Sequence, residues 1–259
     1  MKDYQRNYSK INQSLYDIDT RKIKASKIEK IIKDFSHKDL FQCRCLEIGC
    51  STGINTNFLS DIFAECLGID IDDEAVKFGY GKKKQNVIFF IGDAMQLPFR
   101  SDVFDVILCN HVYEHVPDSE LLMKEVYRVM KRDGFCYFAA GNKYSLVEGH
   151  YNLPFLSWIP KSFANLYLKL LRRGNVYYEN HLSLPGIKRL TRNFCVTDYT
   201  LKIISEPERF GAEDMIGPKS IIMKIPKSLI KLLMPLIPTY VFVLTKPQNG
   251  ELGKNEGCH

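Results

Sequence analysis

The chain has 259 residues, 45% of them apolar and 25% charged, with a formal net charge of +6. That length suits one α/β domain with insertions and an ordinary buried core. The modest charge falls short of the strongly basic face that nucleic-acid binding favours, and the N-terminus, MKDYQRNYSKINQSLYD, lacks the apolar stretch of a secretory signal, so a cytoplasmic protein without a nucleic-acid partner is expected.

In chain order, Ile23, Ile28, Ile31, Ile32 and Phe35 predict the apolar face of a helix with lysines opposite. CRCLEIG (43–49) predicts a first strand, INTNFLSDIF a helix, and ECLGIDI a second strand. DDEAVKFGYGKKK predicts a helix whose opening acids suit the positive end of its dipole. NVIFFIGD and FDVILCN predict the third and fourth strands. PDSELLMKEVYRVMKRDG predicts a helix opened by Pro117 and Asp118, closed by Lys131 and Arg132 and stopped by Gly134; GFCYFAAGN follows as a fifth strand. The strands are continuous apolar runs, which predicts a mainly parallel sheet covered on both faces over residues 20–142.

The rhythm then breaks twice. Residues 143–181 are rich in aromatics and carry His150 and His181; residues 206–237 carry Pro207, Pro218, Pro226 and Pro235. Between them SLPGIKRLTRNF predicts a helix and CVTDYTLKIIS a sixth strand. TYVFVLTKP predicts the last strand, and residues 247–259 a disordered tail. In the second break Lys224, Lys227, Ser228 and Lys231 fall on one helical face, and Ile225, Leu229, Leu232 and Leu236 on the other. Such a helix over 219–237 can lie on an anionic membrane, or pack on the domain or a partner. No apolar run is long enough to span a bilayer. Cys43, Cys45, Cys66, Cys109 and Cys136 fall within strand-like runs and are expected to be reduced core thiols. Cys43-Arg-Cys45 has no second Cys/His pair at zinc spacing, and no metal is expected.

The turn CSTGINTN after the first strand stands where parallel sheets bind nucleotides. It has no lysine or arginine for a triphosphate, and Ser51 interrupts the G-x-G-x-x-G of a dinucleotide turn. Glu47, Asp70 and Asp93 end three strands with no base among them, a cluster that repels a pyrophosphate and suits a cation. Asp70 lies 21 residues past Gly49, the offset of a carboxylate gripping ribose hydroxyls.

CLEIGCSTG, GIDID, GDAMQLPF, FDVILCNHVYEHVPD and VMKRDGFCYF together resemble the class I S-adenosylmethionine (SAM)-dependent methyltransferases over roughly residues 43–142. The likeness is to the small-molecule branch, similar to quinone-biosynthesis methyltransferases, with the first insertion similar to those of surface-glycan enzymes. It implies a Rossmann-like α/β fold with a seven-stranded sheet, here with two cap insertions (143–181 and 206–237), and SAM as cofactor. The family motif reads E-x-G-x-G-x-G; Ser51 departs from it, though serine is small enough for close backbone approach. The resemblance implies that Glu47 orients the methionine end and that Gly49, Cys50, Ser51 and Gly53 form the backbone cradle. It assigns Asp70 to the ribose, Ile71 to an adenine face, and Asp93 with Ala94 or Met95 to the adenine edge. Asn110 and His111 would flank the transferable methyl.

Methyl transfer needs alignment more than a fixed catalytic group, but a hydroxyl acceptor gains from a base. His111, His115, His150 and His181 are the candidates, and Tyr8 and Tyr16 could fold over the site. The expected acceptor is a small or lipid-linked molecule, with a sugar hydroxyl among the options. A non-catalytic SAM- or nucleotide-binding protein and an NAD-type oxidoreductase are the alternatives.

Overall fold

The computed structural model describes residues 5–214, 216 and 227–248, without the side chains of Ile11, Lys227 and Ser228. Nine strands are described: β1 (Arg44–Ile48), β2 (Glu65–Asp70), β3 (Val87–Ile91), β4 (Phe104–Asn110), β5 (Met130–Gly141), β6 (Val147–Glu148), β7 (Leu153–Pro154), β8 (Cys195–Asp198) and β9 (Thr239–Thr245). Seven form one sheet in the order β3-β2-β1-β4-β5-β9-β8, while β6 and β7 pair as a small hairpin. The first five are parallel; β9 runs antiparallel between β5 and β8. The chain steps from β1 outward through β2 to β3, then crosses back to β4. That reversal opens a crevice at the carboxyl ends of β1 and β4.

The strand residues alternate between two apolar cores. Leu46, Ile48, Ile107, Cys109, Cys136 and Phe138 face one layer, where α5 (Ser119–Val129) supplies Leu122, Val126 and Val129, and α7 (Leu184–Leu190) supplies Ile187. Cys45, Val106, Leu108, Phe135 and Tyr137 face the other, covered by α2 (Ile18–Phe35), α3 (Ile54–Leu59) and α4 (Asp73–Tyr80). Each fully buried Leu, Ile or Val contributes roughly 1.5–3 kcal/mol relative to exposure, so burial on both faces explains why the runs are apolar throughout. Cys43, Cys45, Cys50, Cys66, Cys109 and Cys136 are buried thiols within this packing.

Three expectations are corrected. The helix expected to end at Gly134 stops at Val129; Lys131 and Arg132 belong to β5. There Lys131 Nζ bonds the Asp105 carboxylate at 2.8 and 2.9 Å, and the ladder slips between Phe104 and Val106. The sixth strand ends at Asp198, whose carboxylate accepts the Thr200 amide at 2.8 Å. That side-chain-to-backbone turn breaks the strand and starts α8 (Thr200–Ser205), followed by α9 (Pro207–Phe210). Ile23 is 52% exposed. At 100° per residue it lies about 140° around α2 from Ile28, whereas Ala25, Ile28, Ile31 and Ile32 form the buried stripe.

Residues 143–181 run from the end of β5 to α7 and contain β6, β7 and α6 (Lys161–Leu170). They enclose a small core of Leu153, Leu156, Ala164, Leu168 and Tyr177. The second break contains α10 (Lys227–Leu233). Leu229, Leu232 and Leu236 are exposed, Ile230 and Met234 buried; Lys224, Ile225 and most of tail 247–259 lie outside the described residues. A further helix, α1 (Tyr8–Ile11), precedes α2. Among the described residues no helix is long and apolar enough to cross a membrane.

Candidate functional site

The turn between β1 and α3 is shaped by three left-handed residues: Gly49 (φ 72°), Ser51 (φ 50°) and Gly53 (φ 67°). A Cβ on Gly49 would stand 2.7 Å from Val112, so glycine is required there for both conformation and space. The Gly49 and Cys50 amides both donate to Ile69 O, at 2.8 and 3.1 Å, which ties the turn to β2. The Ser51 amide donates to Asp70 Oδ2 at 2.7 Å, and the Asp72 amide to Oδ1 at 2.9 Å. Asp70 therefore clamps the turn against the end of β2. Burial pushes its carboxyl above the usual range, against the pull of these amides.

Glu47 is 3% exposed. Its carboxylate accepts from Thr56 Oγ1 at 2.5 Å and Asn55 Nδ2 at 3.4 Å, both on the first turn of α3. Two neutral donors do not replace hydration, and burial pushes this carboxyl up to about 7. The acid cluster is not free of bases, as the strand ends alone suggested. Arg21 of α2 lies within the fields of Glu47 and Asp70, and burial lowers its own pKa. Two buried acceptors or donors here, Ser51 Oγ and Asn55 Oδ1, have no partner among the described residues.

At the end of β3, Asp93 Oδ1 accepts the Met95 amide at 2.8 Å. Ala94 and Met95 pack against the core and Ile71 is 8% exposed. Asn110 closes β4, and His111 follows with φ 56°, its amide donating to Ala139 O at 2.9 Å. The N-terminal segment folds over this edge. Ser9 N donates to Asp72 Oδ2 at 2.7 Å and Thr52 Oγ1 to Leu15 O at 2.8 Å. Tyr16 packs edge-on against Phe78, and the Tyr8 ring lies 5.6 Å from His115.

The four candidate histidines converge. His115 and His150 rings are 4.8 Å apart, His150 and His181 5.8 Å apart, and His111 Nδ1 lies 3.0 Å from Glu114 Oε1. Two carboxylates hold three of them: Glu114, fully buried on the loop after β4, bonds His111, and Glu148, 1% exposed on β6, bonds His150 and His181. Burial alone would raise both, but imidazole hydrogen bonds and charge outweigh it and hold each down at about 2. Glu148 Oε1 meets His150 Nδ1 at 2.7 Å and His181 Nε2 at 3.3 Å. Burial and neighbouring imidazoles press His115 down to about 4 despite Glu114. Tyr113 joins the two halves: its hydroxyl donates to Gly141 O at 2.5 Å and accepts the Leu182 amide at 3.0 Å.

Arg21, Glu114, Glu148 and Glu179 escaped the sequence reading. Arg21 sits in a lysine-rich helix where no spacing marks it. Glu114 lies three residues after His111, a short-range signal that was available; Glu148 and Glu179 sit in an insertion with no periodic frame.

Residues 46–138 match the model of the methyltransferase domain family. The ubiquinone biosynthesis O-methyltransferase of Pelagibacter ubique is 28% identical over 193 residues, 69% of this chain and 78% of that protein. The demethylmenaquinone methyltransferase of Staphylococcus aureus is 29% identical over 163 residues, 60% of this chain and 67% of that protein. Among solved structures, the PH0226 protein from Pyrococcus horikoshii shares the fold with a TM-score of 0.62 at 16% identity, over 93% of this chain and 99% of that one. With a glycine turn after β1, a carboxylate closing β2 and this strand order, the match over residues 46–138 and these relatives support a SAM-dependent methyltransferase of the class I fold.

Proposed function

We propose that the chain transfers a methyl group to the hydroxyl of a small or lipid-linked acceptor held between the glycine turn and the 143–181 cap. The carrying observation is the Glu114-bound His111 directly after β4, next to a buried imidazole cluster roofed by that cap. The cradle fits SAM. Buried Glu47 lacks a full countercharge, so an ammonium suits it, and Arg21 nearby suits a carboxylate. Asp70 has lone pairs left for ribose hydroxyls, Ser51 Oγ is without a partner among the described residues, and the Asp93 turn with Ala94 and Met95 suits the adenine edge. When bound, SAM supplies a sulfonium-activated methyl carbon.

The chain's own residues then align the acceptor and take its proton. Glu114 fixes one nitrogen of His111 and leaves the other to accept from the hydroxyl, the logic of an oriented base. The oxygen bonds to the methyl carbon as the carbon–sulfur bond breaks, and the hydroxyl proton ends on His111. The name of the Pelagibacter relative supports oxygen as the acceptor atom. The cap surface supports a lipid-linked acceptor and peripheral membrane contact. Phe163, Leu166 and Leu170 of α6 are 54–71% exposed. The exposed charged residues of 143–181 are Lys161, Lys169, Arg172 and Arg173, while Glu148 and Glu179 are buried. The exposed Leu229, Leu232 and Lys231 of α10 fit the same reading.

The test is S-adenosylhomocysteine release in a screen of prenylated phenols, glycolipid and free-sugar hydroxyls. A His111→Ala loss of 10²–10⁴ in kcat, roughly the range for a positioned acid–base group, supports the reading. Turnover with none of these acceptors would leave a binding protein. Sedimentation with anionic but not neutral vesicles, lost at high salt, checks the membrane contact.

A further inference from the structure

Glu148, His150 and His181 each offer one donor atom, and these atoms lie within 4.8 Å of one another; Glu114, His115 and His150 form a second such group sharing His150. Glu148 is held in place by its backbone surroundings. Its Oε2 accepts the His150 and Tyr151 amides, each at 2.9 Å, which leaves Oε1 to the two imidazoles. Around it the cluster is short of partners. Glu114 Oε2, Glu179 Oε2 and His181 Nδ1 are buried with none among the described residues, on carboxylates 0% and 2% exposed.

We propose that Glu148, His150 and His181 bind a divalent transition-metal ion of the zinc type. Two imidazoles and a carboxylate are a fitting donor set for such an ion, and three protein ligands leave a position open. Two of the three donor separations are near what the ion requires, and the third is within 4.8 Å. Metal–ligand bonds of about 2.0–2.1 Å in a tetrahedron place donor atoms about 3.3 Å apart. His181 Nε2 and Glu148 Oε1 already stand 3.3 Å apart, while the 2.7 Å His150 contact must open by roughly 0.6 Å as its proton leaves. No metal signature is legible in the spacing, because Glu148 and His150 are adjacent in a two-residue step and His181 comes only after α6. The open position would take a water or the acceptor hydroxyl and make it more acidic. That last role rests on the hydroxyl-acceptor reading; binding of the ion does not.

The test uses the untagged full chain, stripped with chelator and titrated with Co²⁺ and then Zn²⁺. One equivalent should bind, with visible cobalt bands from nitrogen and oxygen ligands and no thiolate-to-cobalt charge transfer. His181→Ala and His150→Gln should each lower affinity by more than about 100-fold, beyond the loss seen when only an outer partner is removed. Their retained binding of S-adenosylhomocysteine would show that the fold survives. Absence of stoichiometric cobalt binding, a thiolate spectrum, or unchanged affinity in a folded variant would overturn the site. If both variants fail to fold, the wild-type cobalt spectrum decides between nitrogen/oxygen and sulfur ligation. Cobalt binding by a protein that does not bind S-adenosylhomocysteine would sink the methyl-donor assignments and leave the ion site standing.

Discussion

The sheet edge and the cap hold their buried carboxylates in opposite ways. Glu47 and Asp70 rest on amides, a hydroxyl and a side-chain amide, and burial raises both. Glu114 and Glu148 rest largely on imidazoles, and both are lowered to about 2. Neutral donors leave the first pair ready for an incoming cation, whereas titratable donors already balance much of the second pair's charge. The first arrangement suits a ligand that brings its own positive charge. The second lies where the cap is tied to the loop after β4, through the Leu182 amide on the Tyr113 hydroxyl and the Asn180 amide on Glu114 O.

The largest effect expected from this contrast is in the cap. Glu148→Ala removes the acceptor of two imidazoles and two amides, and breaking a buried pair by deleting one partner costs about 3–5 kcal/mol. Urea denaturation should show that loss, and hydrogen exchange should place it in 143–181 while the turn after β1 stays protected. The sign with pH follows from the lowered carboxyl. The stability it contributes is present above about 4.5 and is lost as pH falls through about 2. A change under 1 kcal/mol would mean that the cluster does not brace the cap.

The same contrast explains what was legible beforehand. β1 to β4 are apolar runs punctuated by glycines and acids, so local pattern was enough to place Glu47, Asp70, Asp93 and His111 at strand ends. Ends of elements were harder. Nothing local to Lys131 announces the Asp105 carboxylate that pulls it into β5, and Asp198 stops its strand through one side-chain bond. His150 and His181 were candidates by residue type alone. Their joining carboxylate, Glu148, becomes visible only when a 33-residue separation closes in space. Arg21 likewise reaches the acids from a helix whose sequence reads as a plain lysine-studded surface.

Glu47 gives the next effect. Its folded pKa of about 7 lies above the ordinary 4.5, so the apo protein is penalised as pH rises from 4.5 to 7, by roughly 3 kcal/mol at full ionisation. Glu47→Gln should therefore stabilise the apo protein above pH 7 and leave it nearly unchanged near pH 4.5. Binding should show the reverse preference. An ammonium needs the carboxylate, so wild-type affinity for S-adenosylhomocysteine should climb between pH 5 and 7, by at most about tenfold per pH unit. Calorimetry on Glu47→Gln should give a flat, weaker profile; a slope like that of wild type would place the ammonium elsewhere.

Asp70 holds the turn and, on the proposed reading, the ribose as well. Losing a charge-assisted bond to ribose should weaken S-adenosylhomocysteine by about 1.5–3 kcal/mol in Asp70→Ala. Because the carboxylate also accepts the Ser51 and Asp72 amides, the apo protein should lose stability as well. Asp70→Asn keeps one good acceptor and should recover more stability than affinity. Equal recovery of the two would show that the carboxylate serves the turn and not the ribose.

Ser51 should give the smallest change and the sharpest one, because its two effects have opposite signs. At φ 50° the backbone is left-handed, which costs a side chain about 1–2 kcal/mol relative to glycine. Glycine gives back about 0.5–1 kcal/mol through its larger unfolded-state freedom. The buried Oγ also has no partner among the described residues. Ser51→Gly should then raise apo stability slightly, by up to about 1 kcal/mol. If the hydroxyl bonds the nucleoside, the same change should weaken S-adenosylhomocysteine by about 0.5–1.5 kcal/mol, the net size of one hydrogen bond. Higher stability with undiminished affinity would mean that the hydroxyl never meets the ligand, and that serine here is a strained substitute for glycine.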